Sequence, residues 1–379
     1  MVHAQEFLQM IKQIGCNFFT GVPDSTLKEF CSCLLTQYES KDHVIAANEG
    51  NAIGLASGYY LATGNAGLVY MQNSGIGNAI NPLVSLADPD VYSIPMLLLI
   101  GWRGEPGKKD EPQHVKQGKI TTSLLEVADI PYLVLEEENY QSQLLEAEIF
   151  LKEQSRPFAL VVRPGFFTKC NEESTVNPIP SGVLLSREKA LSILLSEISR
   201  EDIVVGTTGK TSREIFELRE IKQQDHGSDF LTVGSMGHVS AIAYEMAAWT
   251  KRSVFCIDGD GSFLMHTGGL AVIAQNPVDN FKYILNVNGS HESVGNQPTV
   301  GFGINVPRIL QGFGFSKVYE AATEEEIVAA VQKMRGLEEM CALVLKTKPG
   351  SRGDLGRPTM SPEQSKREIM RTLMKSLDS

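Results

Sequence analysis

The sequence predicts an α/β protein built of two doubly wound parallel-sheet domains. Three observations carry this. Short apolar runs recur along the chain and are near-continuous where a half-exposed strand would alternate; helical patterns separate them; and one polar stretch near the middle interrupts the series.

Taken in order, the chain opens on MVHAQEFLQMIKQIG. Phe7, Leu8, Ile11 and Ile14 recur there at helical spacing, Gly15 closes the helix, and the uninterrupted apolar core of a signal peptide is lacking. Strands are expected at HVIAA (43–47), GLVYMQ (67–72), MLLLI (96–100) and FALVVRP (158–164). Residues 165–187 are polar, contain Pro and Gly, and keep no period, as a linker would. Strands resume at DIVVG (202–206), SVFCI (253–257), YILNV (283–287) and ALVLK (342–346). The expected domains are therefore 1–165 and 188–379 with a linker at 166–187, each of ordinary size. The halves share an architecture but no sequence repeat.

The 379 residues are 42% hydrophobic and 21% charged, as in a globular protein. A formal charge of −11 gives no support to nucleic acid or an anionic membrane as partner, and requires a local cationic pocket for any polyanionic ligand. No run reaches the roughly 18 apolar residues of a membrane span. The six cysteines contain no CxxC pair and are expected as reduced thiols of a cytoplasmic protein.

In such sheets ligands bind beyond the carboxyl ends of strands, so the turns there are the places to look. SVFCIDGDGS (253–262) ends a strand with two aspartates. As a calcium loop it fails, because Phe263 and Gly269 occupy the positions of the Gly and the bidentate Glu. Two readings remain: a turn in which Ser262 caps the next helix, and a cation site. Asn288 follows Asp260 by 28 positions, at the end of the next strand. An Asp carboxylate, an Asn carbonyl, a backbone carbonyl and phosphate oxygens make the hard octahedron that Mg²⁺ prefers. GSMGHVSAIAYEMA (234–247) offers glycines that admit close backbone approach and a soft Met236, or simply a helix start packed on a sheet. VVGTTGKTS (204–212) is not a Walker A, since Val204 stands where the first Gly belongs, yet its small residues and Lys can still cradle a diphosphate. Glu49 opens a helix that Asn48 can cap, where a carboxylate also complements the helix dipole.

The GDG with an Asn at this distance resembles the binding motif of the thiamine diphosphate enzymes. The resemblance implies Mg²⁺ at Asp260, Asn288 and the main-chain oxygen of Ser290, with Gly261 and Ser262 beside the diphosphate. It implies diphosphate contacts at Gly209, Lys210 and Thr211. Gly234, Ser235 and Met236 would hold the aminopyrimidine and its bend, and Glu49 would face N1′. QNSGIGNAINPL (72–83) resembles the family's GPGxxN turn. NVNG stands where many members have NNG, so Asn286 competes with Asn288, which is preferred because it precedes Gly289. By the same resemblance, 1–165 is the pyrimidine-binding domain and 188–379 the pyrophosphate-binding domain, and the length leaves no room for the usual central third domain.

That compactness, with FTGVPDS (19–25), GEPGKKDEPQHVKQG (104–118), HESVGNQPT (291–299) and DLGRPT (354–359), is similar to the branch that decarboxylates phosphonopyruvate. The activity so implied is decarboxylation of this small 2-oxo acid to phosphonoacetaldehyde and CO₂ in phosphonate biosynthesis. Asp24, Ser25, Lys109 and His114 would bind the phosphonate, with His291 and Glu292 relaying protons, in a homodimer or higher oligomer whose active sites lie between subunits. The alternatives are a sulfopyruvate decarboxylase or carboligating relative and, in another class, a P-loop-like nucleotide-binding protein.

Overall fold

A computed structural model describes residues 1–39, 41–169 and 184–377. The chain divides into two compact units, Met1–Val176 and Asn177–Ser379. The boundary falls in 170–183, so most of the segment expected as linker lies outside the described residues. Of the remainder, Phe167–Thr168 pairs with Val2–His3, and Arg187 begins a helix.

The first unit holds one six-stranded sheet of β1 (Phe19–Gly21), β2 (His43–Ile45), β3 (Gly67–Gln72), β4 (Met96–Gly101), β5 (Tyr132–Val134) and β6 (Phe158–Val162), ordered β2-β1-β3-β4-β6-β5. All its pairs are parallel. Its helices are α1 (Ala4–Gln13), α2 (Lys28–Gln37), α3 (Glu49–Thr63), α4 (Ile76–Pro82), α5 (Pro112–Val127) and α6 (Tyr140–Gln154). The near-continuous apolar strands follow from burial on both faces: in β4, Leu97 and Leu99 enter one core, and Met96, Leu98 and Ile100 the other.

The second unit repeats this plan. Its sheet contains β7 (Ile203–Gly206), β8 (Asp229–Leu231), β9 (Val254–Gly259), β10 (Phe281–Val287), β11 (Lys317–Ala321) and β12 (Cys341–Lys346), ordered β8-β7-β9-β10-β12-β11. Numbered from its own first strand, each unit therefore reads 2-1-3-4-6-5, a duplication of topology without one of sequence. Again every pair is parallel. Helices α7 (Arg187–Glu197), α8 (Lys210–Ile221), α9 (Val239–Ala248), α10 (Asp260–Met265), α11 (Thr267–Ala274), α12 (Val306–Phe313), α13 (Glu324–Arg335) and α14 (Pro362–Leu377) complete it. In β9, Val254 and Cys256 face one core while Phe255 and Ile257 face the other.

Cys16, Cys31, Cys256 and Cys341 are buried free thiols. Cys33 is disulfide-bonded, contrary to the expectation of reduced thiols throughout. Among the described residues no helix is long and apolar enough to cross a membrane.

Candidate active site

The functional turns of the second unit leave the carboxyl edge of its sheet. Gly259 of β9 lies opposite Asn286 of β10 in register, so Asp260 and the Asn288 turn emerge side by side. Asp260 is only 3% exposed. Its Oδ1 accepts from the Gly261 N–H at 2.9 Å; its Oδ2 accepts from the Gly289 N–H at 2.8 Å and the Thr299 hydroxyl at 2.6 Å. No described Lys, Arg or His pairs with it, and burial pushes its pKa up to about 6. A dry carboxylate surrounded by neutral donors is what a bound cation would compensate.

Asn288 completes the corner. Its Oδ1 accepts from the Ser290 N–H at 3.1 Å and its amide donates to Glu292 Oε1 at 2.8 Å. Asn286 instead accepts from the Thr347 hydroxyl at 2.9 Å within the sheet. Of the two asparagines left open by the NVNG departure, Asn288 is thus the one at the Asp260 turn. The Ser290 hydroxyl and both polar atoms of Gln297 are buried without a hydrogen-bond partner. The Asp260 carboxylate and the Asn288 carboxamide oxygen are hard-oxygen donors that fit Mg²⁺, and the orphaned hydroxyl and amide on the same loop leave donors unspent for a diphosphate.

The other turns converge on this edge. Gly209 has φ +94°, and a Cβ there would lie 2.5 Å from Ser293 Oγ. Lys210 donates to Ser351 at 2.5 Å, and Thr211 is buried in the first turn of α8. The Gly237 N–H donates to Ser262 at 3.1 Å, which draws the turn carrying Gly234, Ser235 and Met236 onto the GDG turn. Ser235 takes φ +60° in that turn. Asp258 faces inward, accepting from the Gly259 N–H at 2.8 Å and from Tyr283 at 3.0 Å, and so shapes the turn.

The two residues expected to relay protons part company. The His291 ring rests on Gly261, and burial lowers its pKa to about 4, which leaves a neutral imidazole at neutral pH. Glu292 is committed elsewhere: it accepts from Asn288 and, at 2.6 Å, from the Gly350 N–H, and pairs with Arg187 at 2.8 Å. Glu292, expected to relay protons, is a carboxylate held on three sides that supports Asn288.

In the first unit, Glu49 begins α3 just past β2. Asn48 caps the helix, accepting from the Asn51 N–H at 2.9 Å. Glu49 is 5% exposed, accepts from the Asn78 amide at 2.8 Å, and lies so close to Gly75 that a Cβ there would overlap Oε1. Burial raises its pKa. Past β3, the Asn73 amide donates to the Arg103 carbonyl at 2.8 Å and accepts from the Arg103 N–H at 3.2 Å. Arg103 follows β4 and donates from Nη1 to Ser25 Oγ at 2.8 Å, past the end of β1. Beside Ser25, Asp24 is fully buried; its Oδ1 accepts from the N–H groups of Thr26 and Leu27, and its Oδ2 lacks a partner. One edge therefore carries Asp24, Ser25, Glu49, Asn73 and Arg103.

Lys109 and His114 do not join that group as expected. Lys109 is exposed, and His114 is buried with Nδ1 at 3.0 Å from Asp110. Asp110 organises the basic loop: burial opposes its charge, but hydrogen bonds from Arg103 and His114 hold its carboxyl well below the usual range. Sequence reasoning missed Asn73 and Gln297 as site residues, although both lie in quoted turns; Arg103 heads the basic 103–116 run from which donors for the phosphonate were expected, and it reaches Ser25.

Two family models and several relatives match this chain. The family model for the thiamine pyrophosphate enzyme N-terminal TPP binding domain matches residues 1–125, and that for the C-terminal TPP binding domain matches 205–345. A phosphonopyruvate decarboxylase of Streptomyces viridochromogenes is 30% identical over 97% of this chain and 94% of its own. A sulfopyruvate decarboxylase of Methanosarcina acetivorans is 28% identical, covering 97% of each. The sulfopyruvate decarboxylase subunit beta of Methanococcus maripaludis is 27% identical over 50% of this chain and 99% of its own.

Proposed function

The chain belongs to the thiamine pyrophosphate enzyme family, as one of its decarboxylases, and from that premise we propose that it converts 3-phosphonopyruvate to phosphonoacetaldehyde and CO₂ in the biosynthesis of phosphonates. The reading includes Mg²⁺, a cytoplasmic setting, and a homo-oligomer with the cofactor between subunits. Similarity to phosphonopyruvate decarboxylases over nearly the whole chain supports the substrate; the buried Asp260–Asn288 corner, a carboxylate without a cationic partner, is the observation that carries the Mg²⁺-dependent reading.

Asp260, Asn288 and the Ser290 carbonyl would hold the metal, and Gly209, Lys210, Thr211, Gly261 and Ser262 the diphosphate. Gly234, Ser235 and Met236 would orient the rings. Bound thiamine diphosphate supplies the electron sink for the pair left behind when CO₂ departs. Glu49 has Oε2 tied to Asn78 and keeps Oε1 for a proton, which its dry surroundings hold more tightly than water would. The neutral His291 ring would offer one N–H hydrogen-bond donor and one acceptor nitrogen that can take a proton.

The test incubates apo-protein with thiamine diphosphate, Mg²⁺ and phosphonopyruvate while CO₂ is followed, with sulfopyruvate in parallel. CO₂ from neither substrate overturns the decarboxylase reading. Faster release from sulfopyruvate moves the assignment to that substrate.

A further inference from the structure

We infer that Arg103, together with Ser25, is the subsite for a tetrahedral oxyanion on C3 of the 2-oxo acid, the feature that separates phosphonopyruvate and sulfopyruvate from plain pyruvate. The inference rests on the decarboxylase reading and adds to it the group that selects the substrate.

The first argument is placement. Arg103 lies past the carboxyl end of β4, and its backbone is locked to Asn73 in both directions. Asn73 opens the short turn that ends in Gly75, on which Glu49 is packed. From Glu49 through Gly75 and Asn73 to Arg103, then across to Ser25 and Asp24, runs one unbroken set of contacts along a single sheet edge. The guanidinium thus belongs to the same edge as the buried acid.

The second argument is charge. A protein of net charge −11 must provide a fixed local cation for an anionic substrate. Within the 103–116 run, Lys108 is paired with Glu105 at 2.8 Å, Lys109 and Lys116 are exposed, and His114 is turned onto Asp110. Arg103, itself paired with Asp110, is the cation of that run that reaches the strand-end edge with N–H groups to spare.

The third argument is the donor inventory. Arg103 Nε donates to Asp110 Oδ2 at 2.9 Å and Nη2 to Oδ1 at 2.5 Å; Asp110 is itself held by His114 and by the N–H groups of Gly104 and Glu111. The fork is anchored and cannot swing to follow a ligand. A guanidinium carries five N–H donors, of which Asp110 and Ser25 take three. Two N–H groups are left, and Ser25, which accepts from Nη1, keeps its own hydroxyl proton to give. Three donors held in a fixed cluster match the three oxygens of a phosphonate or sulfonate. Asp24 next to them is not a strong opponent: burial raises its pKa, which favours its uncharged form.

The experiment measures kcat and KM of the holoenzyme and of Arg103→Met, Arg103→Lys and Ser25→Ala on phosphonopyruvate, sulfopyruvate and pyruvate. Calorimetric titration with phosphonoacetate and sulfoacetate accompanies it. In Arg103→Met the ratio of kcat/KM for phosphonopyruvate over pyruvate should fall about 100-fold, mainly through KM, as expected for the loss of charge-assisted hydrogen bonds. Ser25→Ala, which leaves the anchored fork in place, should lower it about tenfold, and both analogues should bind more weakly in proportion. A larger loss for phosphonoacetate than for sulfoacetate marks a site tuned to a dianion; equal losses mark one that reads shape alone. An unchanged ratio, with analogue binding intact in Ser25→Ala and Arg103→Lys, overturns the inference even if Arg103→Met fails to fold. Wild-type enzyme that binds phosphonoacetate but releases CO₂ from no 2-oxo acid sinks the decarboxylase reading and leaves the anion site standing.

Discussion

Glu49 accepts a hydrogen bond from Asn78 at 2.8 Å across 29 positions of chain, and this tie fixes one oxygen of a carboxyl that is otherwise dry. Burial holds its pKa above that of the unfolded chain. The folded state therefore binds this proton more tightly; the associated stability is fully present below the unfolded value and lost as pH rises through the raised folded one. Glu49→Gln carries no such loss. Its apo-protein should melt above wild type at neutral and alkaline pH, with the gap closing in acid. Turnover should drop about 100- to 1,000-fold with cofactor affinity kept, the scale of lost acid–base catalysis. Near-wild-type turnover would remove Glu49 from the chemistry.

Asp260 makes the complementary case. Asp260→Ala removes the acceptor shared by Gly289 and Thr299 together with the carboxylate charge it carries. Thiamine diphosphate affinity measured with Mg²⁺ should fall at least about 100-fold, while the small metal-independent affinity measured in EDTA should change little. Equal affinities of wild type and variant in the presence of Mg²⁺ would exclude Asp260 as a metal ligand.

Much of this was legible because burial on both faces leaves continuous apolar runs, as in Met96–Gly101 and Phe281–Val287. The strands that escaped notice lack that signal. Phe19–Gly21 is three residues long and ends in glycine, Tyr132–Val134 and Asp229–Leu231 are equally short edge strands, and Lys317–Ala321 is an edge strand with exposed polar positions. Asp260 and Asn288 could be read because motif and strand end coincide. Arg103 was legible only as one cation of a basic run; what singles it out is its bond to Ser25, 78 positions away. Glu292 shows the same limit: its adjacency to the Asn288 turn is visible in sequence, but its pairing with Arg187 is a product of folding.

Gly209 tests the diphosphate turn. Its φ of +94° disfavours any side chain, and a Cβ would press on Ser293. Gly209→Ala should cost about 1–3 kcal/mol of stability, read from urea unfolding, and weaken cofactor binding. Adding Ser293→Gly relieves the overlap but not the backbone strain, so recovery should be partial. Full recovery would show that crowding alone sets the residue, and an unaltered Gly209→Ala would mean the turn tolerates a side chain.

Behind the Asp260–Asn288 corner, Arg187 joins Glu214, at 2.7 and 2.8 Å, to Glu292, at 2.8 Å, with all three side chains at most 4% exposed. Charges so buried are costly to orphan. Arg187→Met leaves two carboxylates facing each other without a cation, and the expected loss is about 3–5 kcal/mol in equilibrium unfolding of the apo-protein. Removing one of those charges as well should help: Arg187→Met with Glu214→Gln should lose less than the sum of the two single variants, by about 1 kcal/mol or more, because the residues share one network. Strict additivity would mean the three groups are not coupled. The network also has a consequence at the site, since Glu292 orients the Asn288 amide. If that support matters, Mg²⁺-dependent cofactor affinity falls in the single Arg187→Met variant under conditions where it remains folded; unchanged affinity there would confine Arg187 to stability.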